Sequence, residues 1–144
     1  MSNAVEFRQI SKRFGKVLAN DAVSFSIASG SVHGVIGENG AGKSTLMSIL
    51  YGYYQADEGE IWINGQARSI PNSHEAIALG IGMVHQHFML VETMTVLDNI
   101  MLGMEGGFRL KRRRQQIAEE LSKLCNEYGL ELKLDAYVHD LSVG

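Results

Sequence analysis

The residues with the clearest chemistry are Gly37-Glu38-Asn39-Gly40-Ala41-Gly42-Lys43-Ser44-Thr45. They fit G-x-x-x-x-G-K-[ST], the phosphate-binding P-loop pattern. Backbone N–H groups from about Asn39 to Thr45 can turn inward and cradle a polyphosphate, and a helix start adds partial positive charge there. Gly37, Gly40 and Gly42 allow the backbone angles and close approach that a side chain would block. Lys43 would sit on the β- and γ-phosphates of a nucleoside triphosphate. Ser44 would offer its hydroxyl to Mg²⁺, and Thr45 would help hold the α-phosphate end. Average residue usage produces the pattern by chance in roughly 0.5% of chains this long, so a chance glycine turn is the weaker explanation.

The loop needs a strand before it and a helix after it. Val32-His33-Gly34-Val35-Ile36 reads as a short apolar strand. Thr45-Leu46-Met47-Ser48-Ile49-Leu50-Tyr51 reads as a helix ended by Gly52. Upstream, Val5, Phe7 and Gln9 alternate with Glu6 and Arg8, and Ala22 to Ile27 alternates again. These are two half-buried strands, expected to pair antiparallel. Lys12-Arg13-Phe14-Gly15-Lys16 between them reads as a turn. Its Phe14 is either a stacking platform for a nucleotide base or a hydrophobic plug under that turn.

Downstream, Asp57-Glu58-Gly59 reads as a turn, and Asn64-Gly65 after Ile61-Trp62-Ile63 signals a hairpin. Asn72 or Ser73 with Glu75 predicts a capped helix over 75–79, stopped by Gly80. Ile81-Gly82-Met83-Val84 is expected to be a buried strand whose end projects His85, Gln86 and His87. The two histidines alternate, but nothing nearby supplies a clear third ligand. Gln86 stands where a phosphate-binding sheet meets its ligand. From Phe88 the pattern turns helical. Thr95-Val96-Leu97-Asp98 resembles a capping box for a helix over 96–102, and Ile117, Leu121, Leu124 and Tyr128 mark an amphipathic helix over 111–128 ended by Gly129.

At 144 residues, with 45% hydrophobic and 20% charged residues, one α/β globular domain is the default. A net charge of −3 gives no global attraction to nucleic acid or an acidic membrane. Arg109 and Lys111 to Arg114 hold 5 of the 13 basic residues. That run reads as a solvated helix start, pairing with Glu119 and Glu120. The clustered methionines, Met83 to Met104, read as adaptable packing. Cys125, the one cysteine, excludes an internal disulfide framework and is expected to be buried and inert. There is no apolar run long enough to span a membrane and no signal-peptide pattern.

Four motifs in order resemble the ATP-binding subunit of an ABC transporter. They are Ser11-Lys12-Arg13-Phe14-Gly15, the P-loop, Met83-Val84-His85-Gln86-His87-Phe88, and Leu141-Ser142-Val143-Gly144. The stretches around Gln86 and Met94-Thr95-Val96-Leu97-Asp98-Asn99-Ile100 are similar to importers of simple sugars and nucleosides. The resemblance implies an ABC-type P-loop ATPase core with an N-terminal antiparallel β part over 1–87 and a helical subdomain over 88–144. It implies ATP and Mg²⁺ as ligands, Phe14 stacked on adenine (where Tyr is more usual), and Gln86 contacting Mg²⁺ or the attacking water. Ser142 and Gly144 would bind the ATP held by a second, head-to-tail ATPase domain or subunit.

The same resemblance implies docking to integral membrane subunits at the cytoplasmic face, fed indirectly by a solute-binding protein. The family's Mg²⁺-binding Asp, catalytic Glu and switch His follow the signature and do not occur within these residues. The chain is therefore expected to be an N-terminal fragment that binds nucleotide weakly and hydrolyses it very slowly. Two other readings share parts of this pattern. A soluble ABC-type ATPase acting on ribosomes or nucleic acid has the same P-loop and signature. A kinase or GTPase has the P-loop, but no guanine-reading Asn-Lys-x-Asp segment occurs here.

Overall fold

The computed structural model describes residues 2–85, 89–102 and 110–141. The chain divides into two compact units, Met1–Val84 and His85–Gly144.

The first unit is built on a four-stranded sheet. Strands β1 (Asn3–Phe14), β2 (Val17–Ala28), β3 (Glu58–Ile63) and β4 (Gln66–Arg68) lie in the order β2-β1-β3-β4, every neighbouring pair antiparallel. The two N-terminal strands pair as expected but are longer. Phe14 pairs with Val17, so only Gly15 and Lys16 form the turn. Asn64 at φ 50° and Gly65 at φ 76° join β3 to β4. Both angles are positive, as a tight two-residue hairpin of right-twisted strands requires.

The alternation in β1 breaks where the sequence continues it. Gln9 does not follow Val5 and Phe7 inward. It adopts φ 54° at a register shift, is exposed, and lets Ile10 turn into the core. Two serines replace ladder bonds at this irregularity. Ser24 Oγ accepts from Gln9 N at 2.8 Å and Ser11 Oγ accepts from Ala22 N at 3.0 Å. Gly59 is needed beside the kink, because a Cβ there would lie 2.5 Å from Arg8 O. Asp57-Glu58-Gly59 is therefore not a free turn, since β3 starts at Glu58.

One face of the sheet carries helix α1 (Lys43–Leu50), whose Leu46 and Ile49 join Phe7, Ile10, Ile61, Ile63, Ile70 and Ala76 in a single core. Burying such side chains is worth about 1.5–3 kcal/mol each. Helix α2 (Ser73–Ala78) starts two residues before the predicted span. Its cap is Asn72, whose side chain accepts from Glu75 N at 3.0 Å.

Two predicted strands do not form. Residues 32–36 and 81–84 have no regular structure, and Val32, Ile36 and Val84 are almost wholly exposed. β-branched residues favour an extended chain, but a strand needs a neighbour to receive its N–H and C=O groups. Neither run pairs with a strand among the described residues.

In the second unit, α3 (Val96–Met101) begins with Thr95 Oγ1 accepting from Asp98 N at 3.1 Å, the predicted cap. The backbone of 134–138 ties onto this helix start through Val96 N to Ala136 O and Val138 N to Met94 O. Helix α4 (Leu110–Tyr128) is followed by Gly129 at φ 65°. Its half-buried stripe runs through Ile117, Leu121 and Cys125, whereas Leu124 and Tyr128 are exposed. The predicted stripe is thus rotated by about one residue, and Cys125 is half-buried rather than fully enclosed. Met89 is exposed rather than packed. Arg114 pairs with Asp98, while Arg109 and the side chains of Lys111 and Arg112, of the same basic run, lie outside the described residues.

The carboxyls that tie elements together titrate low. Asp57 is held below the usual carboxylate range by Lys12, at 2.7 Å, and by the Arg13 N–H. Asp98 is lowered by the Thr95 hydroxyl and then by Arg114. A carboxyl depressed in the folded state stabilises fully above its unfolded pKa, and the contribution fades as pH falls through the folded value. The unfolding midpoint should therefore hold above about pH 4 and decline below it. Asp57→Asn should flatten that acid-side decline, as read by circular dichroism melts across the pH range.

Candidate functional site

Residues 37–45 stand at the start of α1 and are built by local backbone geometry. Ala41 N donates to Glu38 O at 3.2 Å, which closes the turn. Gly40 and Gly42 take φ 84° and φ 80°, where L side chains are strained. Gly42 is the helix N-cap, so α1 begins at Lys43, two residues earlier than predicted. The N–H groups of Lys43, Ser44 and Thr45 fall in the first helical turn, where no intrahelical acceptor exists. Lys43 Nζ folds back over the loop and donates to Gly37 O at 2.8 Å and Glu38 O at 2.7 Å. Among the described residues these two carbonyls engage two of its three N–H donors. Gly37 faces the same side chain, its Cβ position lying 3.7 Å from Lys43 Cδ. Asn39 and Ala41 are exposed in the loop, Ser44 is exposed and Thr45 half-buried.

The loop is pressed against β2. A Cβ on Gly42 would lie 2.0 Å from Ala19 O and 2.7 Å from Asn20 Nδ2. Asn20 is buried and donates to Gly42 O at 3.2 Å. It pairs with Lys12 across the hairpin, and Phe14 lies two ladder pairs further toward the tip. Phe14 is 42% exposed, with its ring 5.0 Å from that of Tyr54 in an edge-to-face contact. It is therefore neither a buried plug nor a freely swinging ring. A cavity of about 320 Å³ lined by Ile10, Ile49, Gly59, Ile61 and Arg68 includes none of residues 37–45. The convergent donors belong to the loop, and the loop is the candidate site.

Gln86, Ser142 and Gly144 lie outside the described residues, as does His87. No group of three His, Cys, Asp or Glu side chains suited to a metal occurs among the described residues. No described helix is long and apolar enough to cross a membrane. Two neighbours of the site, Asn20 and Tyr54, escaped the sequence analysis. The alternation used to start β2 at Ala22 left Asn20 outside the strand, and nothing in the local pattern ties Tyr54 to Phe14.

A glycine-rich turn feeding a helix N-terminus, with a lysine folded over it, is the local geometry that the P-loop pattern calls for. Residues 20–144 match the family described as ABC transporter, and the chain belongs to that family. It is 43% identical over 144 residues to the guanosine import ATP-binding protein NupO of Bacillus subtilis (strain 168), covering 100% of this chain and 28% of the relative. It is 41% identical to the ribose import ATP-binding protein RbsA 1 of Burkholderia thailandensis, covering 99% of this chain and 28% of that one. Among solved structures, a nucleotide-free ATP-binding cassette from an ABC transporter matches with a TM-score of 0.81 at 29% identity, over 99% of this chain and 60% of the other. An ATP-binding cassette in its ADP conformation matches with a TM-score of 0.80 over the same shares. The fold is that of an ABC-type ATPase cassette, and the chain spans less than a third of the length of these curated relatives.

The two positive-φ glycines should respond differently to a methyl group. Gly40→Ala meets nothing within 4 Å and should cost only the backbone strain, about 1 kcal/mol. Gly42→Ala adds the overlap with Ala19 and should cost clearly more. Urea unfolding of the two variants checks the order.

Proposed function

We propose that this chain is the nucleotide-binding part of an ATPase subunit that powers uptake of a nucleoside or simple sugar. The observation that carries the reading is the Lys43 ammonium, held over the loop by Gly37 O and Glu38 O at the start of α1. ATP fits this donor set. The first-turn amides and Lys43 would take the β- and γ-phosphates, and Phe14 would face the adenine. The exposed Ser44 hydroxyl suits Mg²⁺, a hard cation that prefers oxygen ligands. Mg²⁺ would neutralise phosphate charge there.

The relatives named for import of guanosine, nucleosides, arabinose and ribose support the transport reading and its substrate class. In the intact protein, Gln86 would act on Mg²⁺ or the attacking water. Ser142 and Gly144 would reach the nucleotide of a head-to-tail ATPase partner. Integral membrane subunits would receive the closing motion at the cytoplasmic face, and a solute-binding protein would deliver the cargo.

Calorimetric titration of MgATP into the chain tests the nucleotide site. Binding should be lost, by tenfold or more, in Lys43→Ala. It should weaken in Phe14→Ala, while inorganic tripolyphosphate binds that variant as well as wild type. Equal MgATP affinity in wild type and Lys43→Ala overturns the reading.

A further inference from the structure

One buried polar group is not explained by packing. Asn20 is 6% exposed, on a strand whose other inward residues, Val23, Phe25 and Ile27, are apolar. Among the described residues its Oδ1 meets no donor. A buried acceptor without a partner is costly, whereas a leucine of similar size would bury there without leaving a polar atom unpaired. Among those residues the amide makes one bond, from Nδ2 to the Gly42 carbonyl at 3.2 Å.

That carbonyl sits at a decisive place. It also accepts from Leu46 N at 2.9 Å, the first rung of α1. It is therefore held from two sides, by the helix and by β2. A peptide unit is planar, with C=O and N–H pointing in opposite directions. Holding Gly42 C=O thus fixes the direction of Lys43 N–H, away from Asn20. Lys43 N–H belongs to the first helical turn and has no acceptor inside the helix.

We propose that Asn20 is a positioning residue of the phosphate site: its amide holds the Gly42–Lys43 peptide so that Lys43 N–H faces the bound anion. The inference rests on the nucleotide-binding reading above. Asn20 reaches across from β2 to set one donor of the cradle before any ligand arrives, so the donor need not be reoriented on binding. The same contact forbids any Cβ at residue 42, since Asn20 Nδ2 already lies 2.7 Å from where it would be.

Two variants separate this role from a merely structural one. Asn20→Leu keeps the size, loses the donor and adds no charge, and Asn20→Ala removes the group. The first readout is the residual dipolar coupling of the Lys43 N–H in the nucleotide-free chain, compared with those of residues 46–50. The second is MgATP affinity by calorimetry, beside the thermal unfolding midpoint. The expected result is a changed Lys43 coupling with the rest of α1 unaltered, and MgATP binding weaker by about tenfold, the scale of one lost hydrogen bond. An unchanged Lys43 coupling overturns the proposal. So does unchanged affinity where wild type binds, or failure of both variants to fold, which makes Asn20 a residue of the fold alone. If wild type itself binds no MgATP, the function proposed above falls, and the Lys43 coupling still decides whether Asn20 holds that peptide.

Discussion

The structure depends on the absence of a side chain at residue 42. Gly42 takes a positive φ, caps α1 and lies so close to β2 that the Ala19 carbonyl would overlap any Cβ. Three things follow from this one approach. Helix α1 can start at Lys43, so the motif's lysine and serine fall in its first turn. The loop before it curls back far enough for Lys43 to reach the Gly37 and Glu38 carbonyls. Leu46 and Ile49 then land on the sheet and join its core. The phosphate loop is thus positioned by strand β2 as much as by its own glycines.

The sheet supplies the rigid side of that contact. β1 is its inner strand, paired on both edges, and a kink at Gln9 changes which residues face inward. Two serine hydroxyls take over the interrupted backbone bonds, so the irregularity leaves no orphaned donor at Gln9 or Ala22. The hairpin tip beyond it carries Phe14 within reach of Tyr54. The Lys12–Asp57 pair and the Arg13 N–H bond to the same carboxylate tie that end of β1 to the segment entering β3. Phe14 and the glycine-rich loop are consequently both held by one antiparallel scaffold, although 22 residues separate Asn20 from Gly42.

Much of the local structure was legible in the sequence because its causes are local. The Asn64-Gly65 turn, the Asn72 and Thr95 caps, the glycine stop after α4 and the loop itself follow from residue types at fixed spacing. Their physics needs only a few neighbouring residues. The two N-terminal strands also showed their alternation, but not their full length or the kink.

The sequence by itself determined the chemistry offered: a run of glycines, a lysine and a hydroxyl pair that suit a polyphosphate, and motifs in an order that pointed to the ABC family. Tertiary structure decided what distant residues do to one another. It placed Asn20 on the Gly42 carbonyl, set Tyr54 against Phe14, and joined Arg114 to Asp98. It also left residues 32–36 and 81–84 out of any described sheet, since propensity sets a strand's preference but only a neighbouring strand completes its hydrogen bonds. Spacing along the chain encodes contacts a few residues apart; contacts across tens of residues depend on where the folded backbone brings them.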